Sequence, residues 1–306
     1  MRVLFIFLDG VGLGTDDPEI NPFAKVRMPT LEALLSGHRL LAGTAPLILE
    51  RASLYALDAG MGVPGLPQSA TGQAVLLTGH NVPADIGEHY GPKPNPPIAA
   101  FLQNGTLFSR LTSAGRSAAL LNAYPPHYFH GVDSGKRLYS AIPLAVTAAG
   151  LPLFTKDDFF AGRALSADFT GEGWAEMLGF PDAPVLSPEA AGRKLAALAQ
   201  DYDFSLFEYW ASDYAGHKQD MPWAIRQLVV LDAVLSGLLA AWDDSEGLIL
   251  VTSDHGNLED LSTRRHTDAR VPGLLIGSAE GRRRFASKLN DLADIAPAIW
   301  NTITED

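Results

Sequence analysis

Three aspartates lie at, or within three residues of, the ends of short apolar runs that the sequence predicts to be β-strands. They are Asp9 after Val3 to Leu8, Asp213 after Ser205 to Trp210, and Asp254 after Gly247 to Thr252. In an open parallel sheet the carboxyl ends of the strands face one crevice, so we expect the three carboxylates to converge there. Each aspartate alone has an ordinary alternative, since an Asp-Gly pair such as Asp9–Gly10 is most often a turn. Their shared position favours a site.

Three histidines accompany the aspartates. Asp213 and His217 are four residues apart, a spacing that places both side chains on one side of a helical turn, although such pairs are also common by chance. His255 follows Asp254 directly, and His266 lies in the polar loop before the next predicted strand. An isolated histidine is usually structural. Combined with the carboxylates, however, the imidazoles form a nitrogen and oxygen ligand set that suits manganese or zinc.

A serine could supply a nucleophile beside these ligands. The segment Gln68 to Gln73 contains small and hydroxyl residues and precedes the apolar run Ala74 to Leu77, which places Ser69 at a predicted helix start. Backbone N–H groups and the helix dipole favour a phosphate at such a position. The alternative is that Ser69 only caps the helix, as many serines do.

The elements that must position these residues alternate between strands and helices, which is typical of an α/β protein. Besides the three strands above, the pattern predicts strands at Ala118 to Leu121 and Gly273 to Ile276, and helices at Pro29 to Leu35, Ile98 to Leu111, Pro188 to Ala199 and Pro222 to Trp242. We predict a mainly parallel sheet sandwiched between helices. Residues 1–80 and 185–306 are expected to form its core, and residues 81–184 a connecting segment and a small inserted cap.

Composition excludes several other classes of protein. The 306 residues are 47% hydrophobic and carry a formal charge of -12, which argues against a broad nucleic-acid-binding face. Cysteine is absent, so thiolate metal sites and cysteine nucleophiles are impossible. The apolar run at the amino terminus is too short for a signal peptide, and no continuous apolar stretch is long enough to span a membrane. We therefore expect a cytoplasmic protein with no membrane partner; its oligomeric state is not predicted.

The ordered motifs of this chain resemble those of the alkaline phosphatase superfamily, and most closely its branch of cofactor-independent phosphoglycerate mutases and phosphopentomutases. The motifs are Leu8-Asp9-Gly10-Val11-Gly12, Gln68-Ser69-Ala70-Thr71-Gly72-Gln73, Asp213-Tyr214-Ala215-Gly216-His217, Ser253-Asp254-His255-Gly256-Asn257 and His266-Thr267. The resemblance implies an alkaline phosphatase-like fold and two divalent metal ions, manganese or zinc. It implies that one ion is held by Asp213, His217 and His266, and the other by Asp9, Ser69, Asp254 and His255.

The same resemblance implies that Ser69 is the nucleophile of a two-metal phosphoryl transfer that passes through a phosphoserine. Two positions depart from the family pattern, because Gln68 replaces its Asn or Asp and Gln73 replaces its histidine. Weaker candidates for contact with a small phosphorylated substrate are Gln68, Thr71, Lys136, Arg137 and Arg163.

Three functions remain open at this point. Hydrolysis of a phosphate mono- or diester is favoured, because residues 81–184 are much smaller than the large insertion that shields the intermediate in cofactor-independent phosphoglycerate mutases. A phosphomutase of phosphoglycerate mutase or phosphopentomutase type is the first alternative. The second alternative is a metal- or phosphate-binding module that catalyses no reaction. The complete set of seven ligand-type residues argues against it.

Overall fold

The computed structural model describes residues 1–305, in which a seven-stranded sheet is flanked by helices on both faces. The strands are β1 (Arg2–Leu8), β2 (Leu47–Ile48), β3 (Ala52–Leu57), β4 (Ala118–Leu120), β5 (Phe204–Tyr209), β6 (Gly247–Thr252) and β7 (Val271–Ile276). Their order across the sheet is β2-β3-β7-β6-β1-β5-β4. The predicted α/β class, with a central sheet between helices, is therefore confirmed.

Fifteen α-helices connect and cover these strands within residues 1–305. They are α1 (Pro22–Lys25), α2 (Pro29–Leu34), α3 (Ser69–Thr78), α4 (Val82–Ile86), α5 (Pro96–Gln103), α6 (Leu107–Ser113), α7 (Pro126–Asp133), α8 (Ala141–Ala148), α9 (Lys156–Phe160), α10 (Glu172–Glu176), α11 (Pro188–Ala199), α12 (Ala211–Lys218), α13 (Met221–Ala241), α14 (Ala279–Phe285) and α15 (Ile295–Thr304). Short 3₁₀ turns occur at Ala42–Thr44, Ala286–Lys288 and Leu292–Asp294.

Strand β1 lies between β6 and β5 in the interior of the sheet and is buried on both faces. Alternate side chains enter different hydrophobic clusters, because successive residues of a strand point to opposite faces. Leu4 and Ile6 pack in the cluster that contains α1, α2, α11 and α13, whereas Phe5 and Phe7 pack in the cluster that contains α3, α5, α6, α8 and α15. A strand covered on both faces is expected to be continuously apolar, as Val3 to Leu8 is.

The strand directions bring distant parts of the chain to one edge of the sheet. Strands β4, β5, β1 and β6 are mutually parallel, and β7 is antiparallel to β6. The segment between β6 and β7 therefore leaves and re-enters the sheet at the carboxyl edge of β6, and this return positions His266. Strand β3 is antiparallel to β7 and so runs in the same direction as β1, which places the loop leading to Ser69 at that same edge.

Two details of the secondary structure differ from the sequence prediction. The single helix expected over Ile98 to Leu111 is wrong, because α5 ends at Gln103 and α6 begins at Leu107. Gly105 lies between them with φ +113°, a conformation that glycine adopts without steric cost. Strands β2 and β3 were not predicted, because the runs that form them are short and lack a clear alternation of apolar and polar residues.

Residues 81–184 contribute both to the sheet and to a small separate cluster. Strand β4 pairs with β5, and α5, α6 and α8 pack in the same hydrophobic cluster as α3. A third cluster is confined to five buried residues, Ala123, Phe159, Ala164, Trp174 and Ala183. The boundaries of the predicted cap stay a prediction.

Helix α13 is long and apolar enough, by length and composition, to cross a membrane, with a mean hydropathy of 1.7 over its best 18-residue window. It is the one helix of this kind in the described chain. The helix nevertheless carries Arg226 and Asp232, so it is not the continuous apolar stretch that the sequence analysis looked for. Buried Asp232 accepts the backbone N–H groups of Thr30 and Leu31 at the start of α2, at 3.1 and 2.9 Å. This contact fastens α13 to the rest of the fold.

Helices α11 and α13 approach each other closely at two glycines. A Cβ added to Gly192 would overlap the carbonyl oxygen of Val234, and one added to Gly237 would overlap the carbonyl oxygen of Glu189. Because both obstacles are backbone atoms, the neighbouring helix would have to move to accommodate a side chain.

We predict that Gly192→Ala and Gly237→Ala each lower the free energy of unfolding by about 1–3 kcal/mol, because overpacking outweighs the better helix propensity of alanine. Urea denaturation followed by circular dichroism measures the change. Ala197→Ser, on the exposed side of α11, adds one atom without contact and serves as the control. Unchanged or increased stability in both glycine variants would contradict the close approach of α11 and α13.

Candidate metal centre

The carboxyl edge of the sheet brings together the seven residues that the sequence analysis proposed as ligands. They are Asp9, Ser69, Asp213, His217, Asp254, His255 and His266. They come from the segments that follow β1, β5 and β6 and from the first residue of α3. Their assignment as metal ligands stays a prediction, but their proximity is a property of the fold.

One group of potential ligands consists of Asp213, His217 and His266, whose ligand atoms all lie within 4.8 Å of one another. Nε2 of His217 is 3.2 Å from one carboxylate oxygen of Asp213, and Nε2 of His266 is 3.8 Å from the other. The side chain of His217 is 43% exposed, so solvent reaches this group directly.

The second group is buried and surrounds His255. Its Nε2 atom lies 3.0 Å from Oγ of Ser69, 3.5 Å from Oδ1 of Asp9 and 3.6 Å from Oδ2 of Asp254. Asp213 also belongs here, because its carboxylate lies within 4.8 Å of the ligand atoms of Asp9 and His255. The two groups are therefore neighbours, and Asp213 lies between them.

All three histidines are oriented by backbone carbonyl groups. Nδ1 of His217 lies 2.7 Å from the carbonyl oxygen of Arg264, and Nδ1 of His266 lies 2.8 Å from that of Pro67. Nδ1 of His255 makes a longer contact of 3.3 Å with the carbonyl oxygen of its neighbour in the chain. A carbonyl oxygen can only accept, so each Nδ1 carries the proton and the lone pair of each neutral ring is on Nε2, as in histidine metal ligands.

Glycines and an amide hold Asp213 in position. Gly10 adopts φ +67°, and a side chain there would collide with Asp213. Asn257 donates from Nδ2 to Oδ1 of Asp213 at 2.7 Å, and Gly216 leaves room for this amide. The motif glycines therefore do more than form turns, because they allow the backbone segments to approach these side chains.

Glu259 is a buried residue that the sequence analysis did not single out. Its carboxylate accepts the N–H groups of Gly12 and Asn257, at 2.9 and 2.8 Å, and the hydroxyl of Thr267. These contacts link the loop after β1 to both ends of the segment that carries His255 and His266. Side chains at Gly12 or Gly256 would collide with the Glu259 carboxylate. No spacing in the sequence distinguishes Glu259 from an ordinary surface acid.

The buried carboxylates are costly to ionise together. Burial, reinforced by the charge of Asp254, raises the pKa of Asp9 well above its ordinary value. Burial raises the pKa of Asp254 to about 7, although the hydrogen bond from Nε2 of Gln73, at 3.1 Å, opposes the shift. Within residues 1–305 no donor hydrogen-bonds Oδ1 of Asp9. An unpaired buried oxygen among like charges fits a divalent cation, which would supply the missing positive partner.

The pKa values of the other candidate ligands shift in different directions, depending on what each side chain contacts. Burial alone would raise the pKa of Asp213, but the hydrogen bond from His217 and the influence of His255 lower it to about 2. The same hydrogen bond, which Nε2 donates only when both ring nitrogens carry protons, raises the pKa of His217. Burial lowers the pKa of His255 to about 4, so this imidazole is neutral at physiological pH and can act as a ligand.

Glu208 is a second buried acid that the sequence analysis missed. It is the fifth residue of β5, in register with Phe7 of β1, and its charge contributes to the raised pKa of Asp9. Tyr124 donates its hydroxyl to Oε2 of Glu208 at 3.3 Å. Burial raises the pKa of Glu208 to about 7. An acid within a mainly apolar strand was the available sequence signal.

Two of the predicted substrate contacts, Gln68 and Thr71, lie close to Ser69 at the start of α3. Thr71 is buried, and its hydroxyl accepts the N–H of Tyr90 at 3.2 Å, which fixes the loop beside the start of α3. Gln68 precedes Ser69 and packs near Gly91 in that loop.

The three cationic candidates lie in residues 81–184. The guanidinium of Arg137 lies over the ring of Tyr128, 4.6 Å from its centre. Arg163 is paired with Asp158 at 2.8 Å, so part of its charge is already neutralised. Lys136 is exposed. Substrate binding by these three residues stays a prediction.

We predict that Glu208→Gln changes how stability depends on pH. In the native protein Glu208 keeps its proton up to about pH 7, whereas in the unfolded chain it loses the proton near pH 4.3. The stability that the protonated acid contributes is therefore present below about pH 4.3 and is lost as pH rises through 7. Relative to Glu208→Gln, the metal-free wild type should lose about 2.5 kcal/mol between pH 5 and pH 8, measured by urea unfolding. A pH-independent difference would contradict the burial of this acid.

Comparison with known proteins agrees with this arrangement. Residues 184–305 match the Metalloenzyme superfamily, a segment that includes α12, β6 and the loop that carries His266. Over 120 residues the chain is 35% identical to a 2,3-bisphosphoglycerate-independent phosphoglycerate mutase from Ruegeria sp., a match that covers 37% of this chain and 23% of the relative. The similarity thus spans about a quarter of that longer protein.

Solved structures extend the likeness to the whole fold. An alkaline phosphatase from the Antarctic bacterium TAB5 aligns over 100% of this chain and 98% of its own, with a TM-score of 0.54 and 10% identity. A phosphoglycerate mutase from Leishmania mexicana aligns over 99% of this chain and 95% of its own, with a TM-score of 0.51 and 13% identity. The chain therefore has an alkaline phosphatase-like fold, its residues 184–305 match the Metalloenzyme superfamily, and part of its sequence is similar to 2,3-bisphosphoglycerate-independent phosphoglycerate mutases.

Proposed function

We propose that the chain transfers phosphoryl groups through a phosphoserine on Ser69, and that it hydrolyses a phosphate mono- or diester. The observation that carries the proposal is the position of the serine. Ser69 is the first residue of α3, and its hydroxyl lies 3.0 Å from Nε2 of His255, where the buried ligand group meets the helix.

The donor set fits two divalent cations. Asp213, His217 and His266 would hold one, while Asp9, Ser69, Asp254 and His255 would hold the other. Bound there, the cations would lower the pKa of the Ser69 hydroxyl and offset the charge of the transferring phosphoryl group. Nitrogen and carboxylate donors suit manganese and zinc equally.

The protein's own residues would arrange the reaction around Ser69. Its Oγ forms a bond to phosphorus while the bond between phosphorus and the leaving oxygen breaks, which produces a phosphoserine and an alcohol. Attack by water on the phosphorylated serine then restores the hydroxyl and releases phosphate from a monoester substrate, or a phosphate monoester from a diester substrate. Gln73, through its hydrogen bond to Asp254, and Asn257, through its hydrogen bond to Asp213, keep the carboxylates oriented throughout.

Hydrolysis of the phosphoserine is favoured over transfer of its phosphoryl group back to the substrate, because little of the protein shields the site from water. The cluster of residues 81–184 that lies apart from the two main cores is small, and the side chain of His217 is 43% exposed. A mutase must keep water away from its phosphoserine until the dephosphorylated substrate has reoriented and accepted the phosphoryl group at another hydroxyl. A phosphomutase is the second candidate, supported by the mutase relatives, although the match to the Ruegeria mutase covers only 23% of that protein's length.

A screen of phosphate esters with manganese- or zinc-loaded protein tests the proposal. We expect free phosphate from a monoester, or a phosphate monoester from a diester, without an isomerised ester, measured by a colorimetric phosphate assay together with phosphorus NMR of the products. An isomerised ester without free phosphate would instead identify a mutase. Bound metal without turnover of any ester would favour a non-catalytic binding module and contradict the proposal.

Ser69→Ala is the matched variant for this screen. We expect it to lower kcat at least about 10³-fold, because the nucleophile is lost, while elemental analysis still finds metal bound. Retained turnover would exclude Ser69 as the nucleophile. Ser109→Ala, in α6, is the control for removal of a hydroxyl elsewhere in the fold and should leave turnover intact.

A further inference from the structure

Two exposed aromatic residues lie next to the candidate metal centre. Trp210, the residue before α12, is 51% exposed, and Tyr214 within α12 is 48% exposed. Across residues 1–305 the only other aromatic side chain among the exposed large hydrophobic residues is Phe160, at 39%. Two exposed rings on the helix that carries Asp213 and His217 are informative, because exposed apolar patches mark sites of interaction more often than scattered single residues do.

The geometry of α12 places the rings beside the predicted metal ligands. Tyr214 donates its N–H to the carbonyl oxygen of Trp210 at 3.3 Å, so helical spacing extends back to Trp210. Side chains four residues apart follow one another along a helix, so Trp210, Tyr214 and Lys218 form one row. The neighbouring row, about 80° around the helix, contains Asp213 and His217. The aromatic row therefore borders the more exposed ligand group.

A contact from α13 holds Tyr214, and a residue of the row adds a positive charge. Trp223 packs edge-on against the Tyr214 ring, with centres 5.4 Å apart and planes at 80°. Nζ of Lys218 lies 5.2 Å from the centre of the same ring. In a chain with a formal charge of -12, a lysine at this position provides local attraction for an anionic ester.

We propose that Trp210 and Tyr214 form a stacking platform for a planar aromatic group on the phosphate ester that Ser69 attacks. The inference rests on the proposed function and specifies its substrate class as phosphate esters of nucleosides or of other alcohols that carry an aromatic ring, rather than phosphorylated sugars or glycerates. The phosphoryl group occupies the metal centre, and the aromatic group lies along α12 with its face on the rings. Stacking on an aromatic side chain changes affinity roughly 5- to 150-fold, which is enough to select such substrates.

Paired phosphate esters of primary alcohols that differ in whether the alcohol carries an aromatic group test the platform. One pair is adenosine 5′-monophosphate and ribose 5-phosphate, and the other is benzyl phosphate and cyclohexylmethyl phosphate. We expect the metal-loaded wild type to favour the aromatic member of at least one pair about tenfold or more in kcat/KM. Trp210→Ala and Tyr214→Ala should each reduce that ratio severalfold, mainly through KM. Phe160→Ala, which removes the exposed ring in α9, should preserve it.

A binding measurement separates this inference from the proposed function. Metal-loaded Ser69→Ala is titrated with each member of the pairs by calorimetry, which requires no turnover. Tighter binding of an aromatic member, weakened by a second change at Trp210, supports the platform even if no ester is hydrolysed. Equal affinity within both pairs, or a preference that survives both ring substitutions, overturns it.

The same rings could instead contact another protein chain, and sedimentation velocity distinguishes that case. We expect the association state of the wild type and Trp210→Ala to be the same across a range of protein concentrations. Self-association that Trp210→Ala abolishes would identify the rings as an interface between copies of the chain and would overturn the assignment to substrate.

Discussion

The convergence of carboxylates at one edge of the sheet is the interaction on which the rest of the site depends. Asp9, Asp213 and Asp254 lie close together, and burial raises the pKa of Asp9 and of Asp254. Like charges so near one another require protons or cations to balance them. The surrounding histidines fit balance by cations, since each has its Nδ1 atom against a backbone carbonyl and so keeps Nε2 available as a metal ligand.

The fold makes this convergence possible through the directions of its strands. Parallel strands β1, β5 and β6 deliver the three aspartates, and antiparallel β7 returns the chain so that His266 faces them. Glu259 then ties the loops together through their backbone N–H groups and Thr267. The glycines around it are required because a side chain at those positions would occupy the space of its carboxylate.

The sequence predicted much of this arrangement because the strongest signals are local. Five strands and the start of α3 at Ser69 follow from apolar runs and their boundaries. The proximity of the ligands followed from a general property of parallel sheets. Glu208 and Glu259 were missed, since their importance arises from burial against distant segments. The break between α5 and α6 was missed because the apolar period continues across Gly105, where only the backbone conformation changes.

Anomalous X-ray diffraction from crystals grown with manganese or zinc tests the central claim most directly. The account predicts two adjacent peaks, one surrounded by Asp213, His217 and His266 and the other by Asp9, Ser69, Asp254 and His255. Their presence would show that cations balance the converging carboxylates. Crystals grown with saturating metal that show no anomalous peak among these seven side chains, or peaks only at surface carboxylates elsewhere, would contradict this claim.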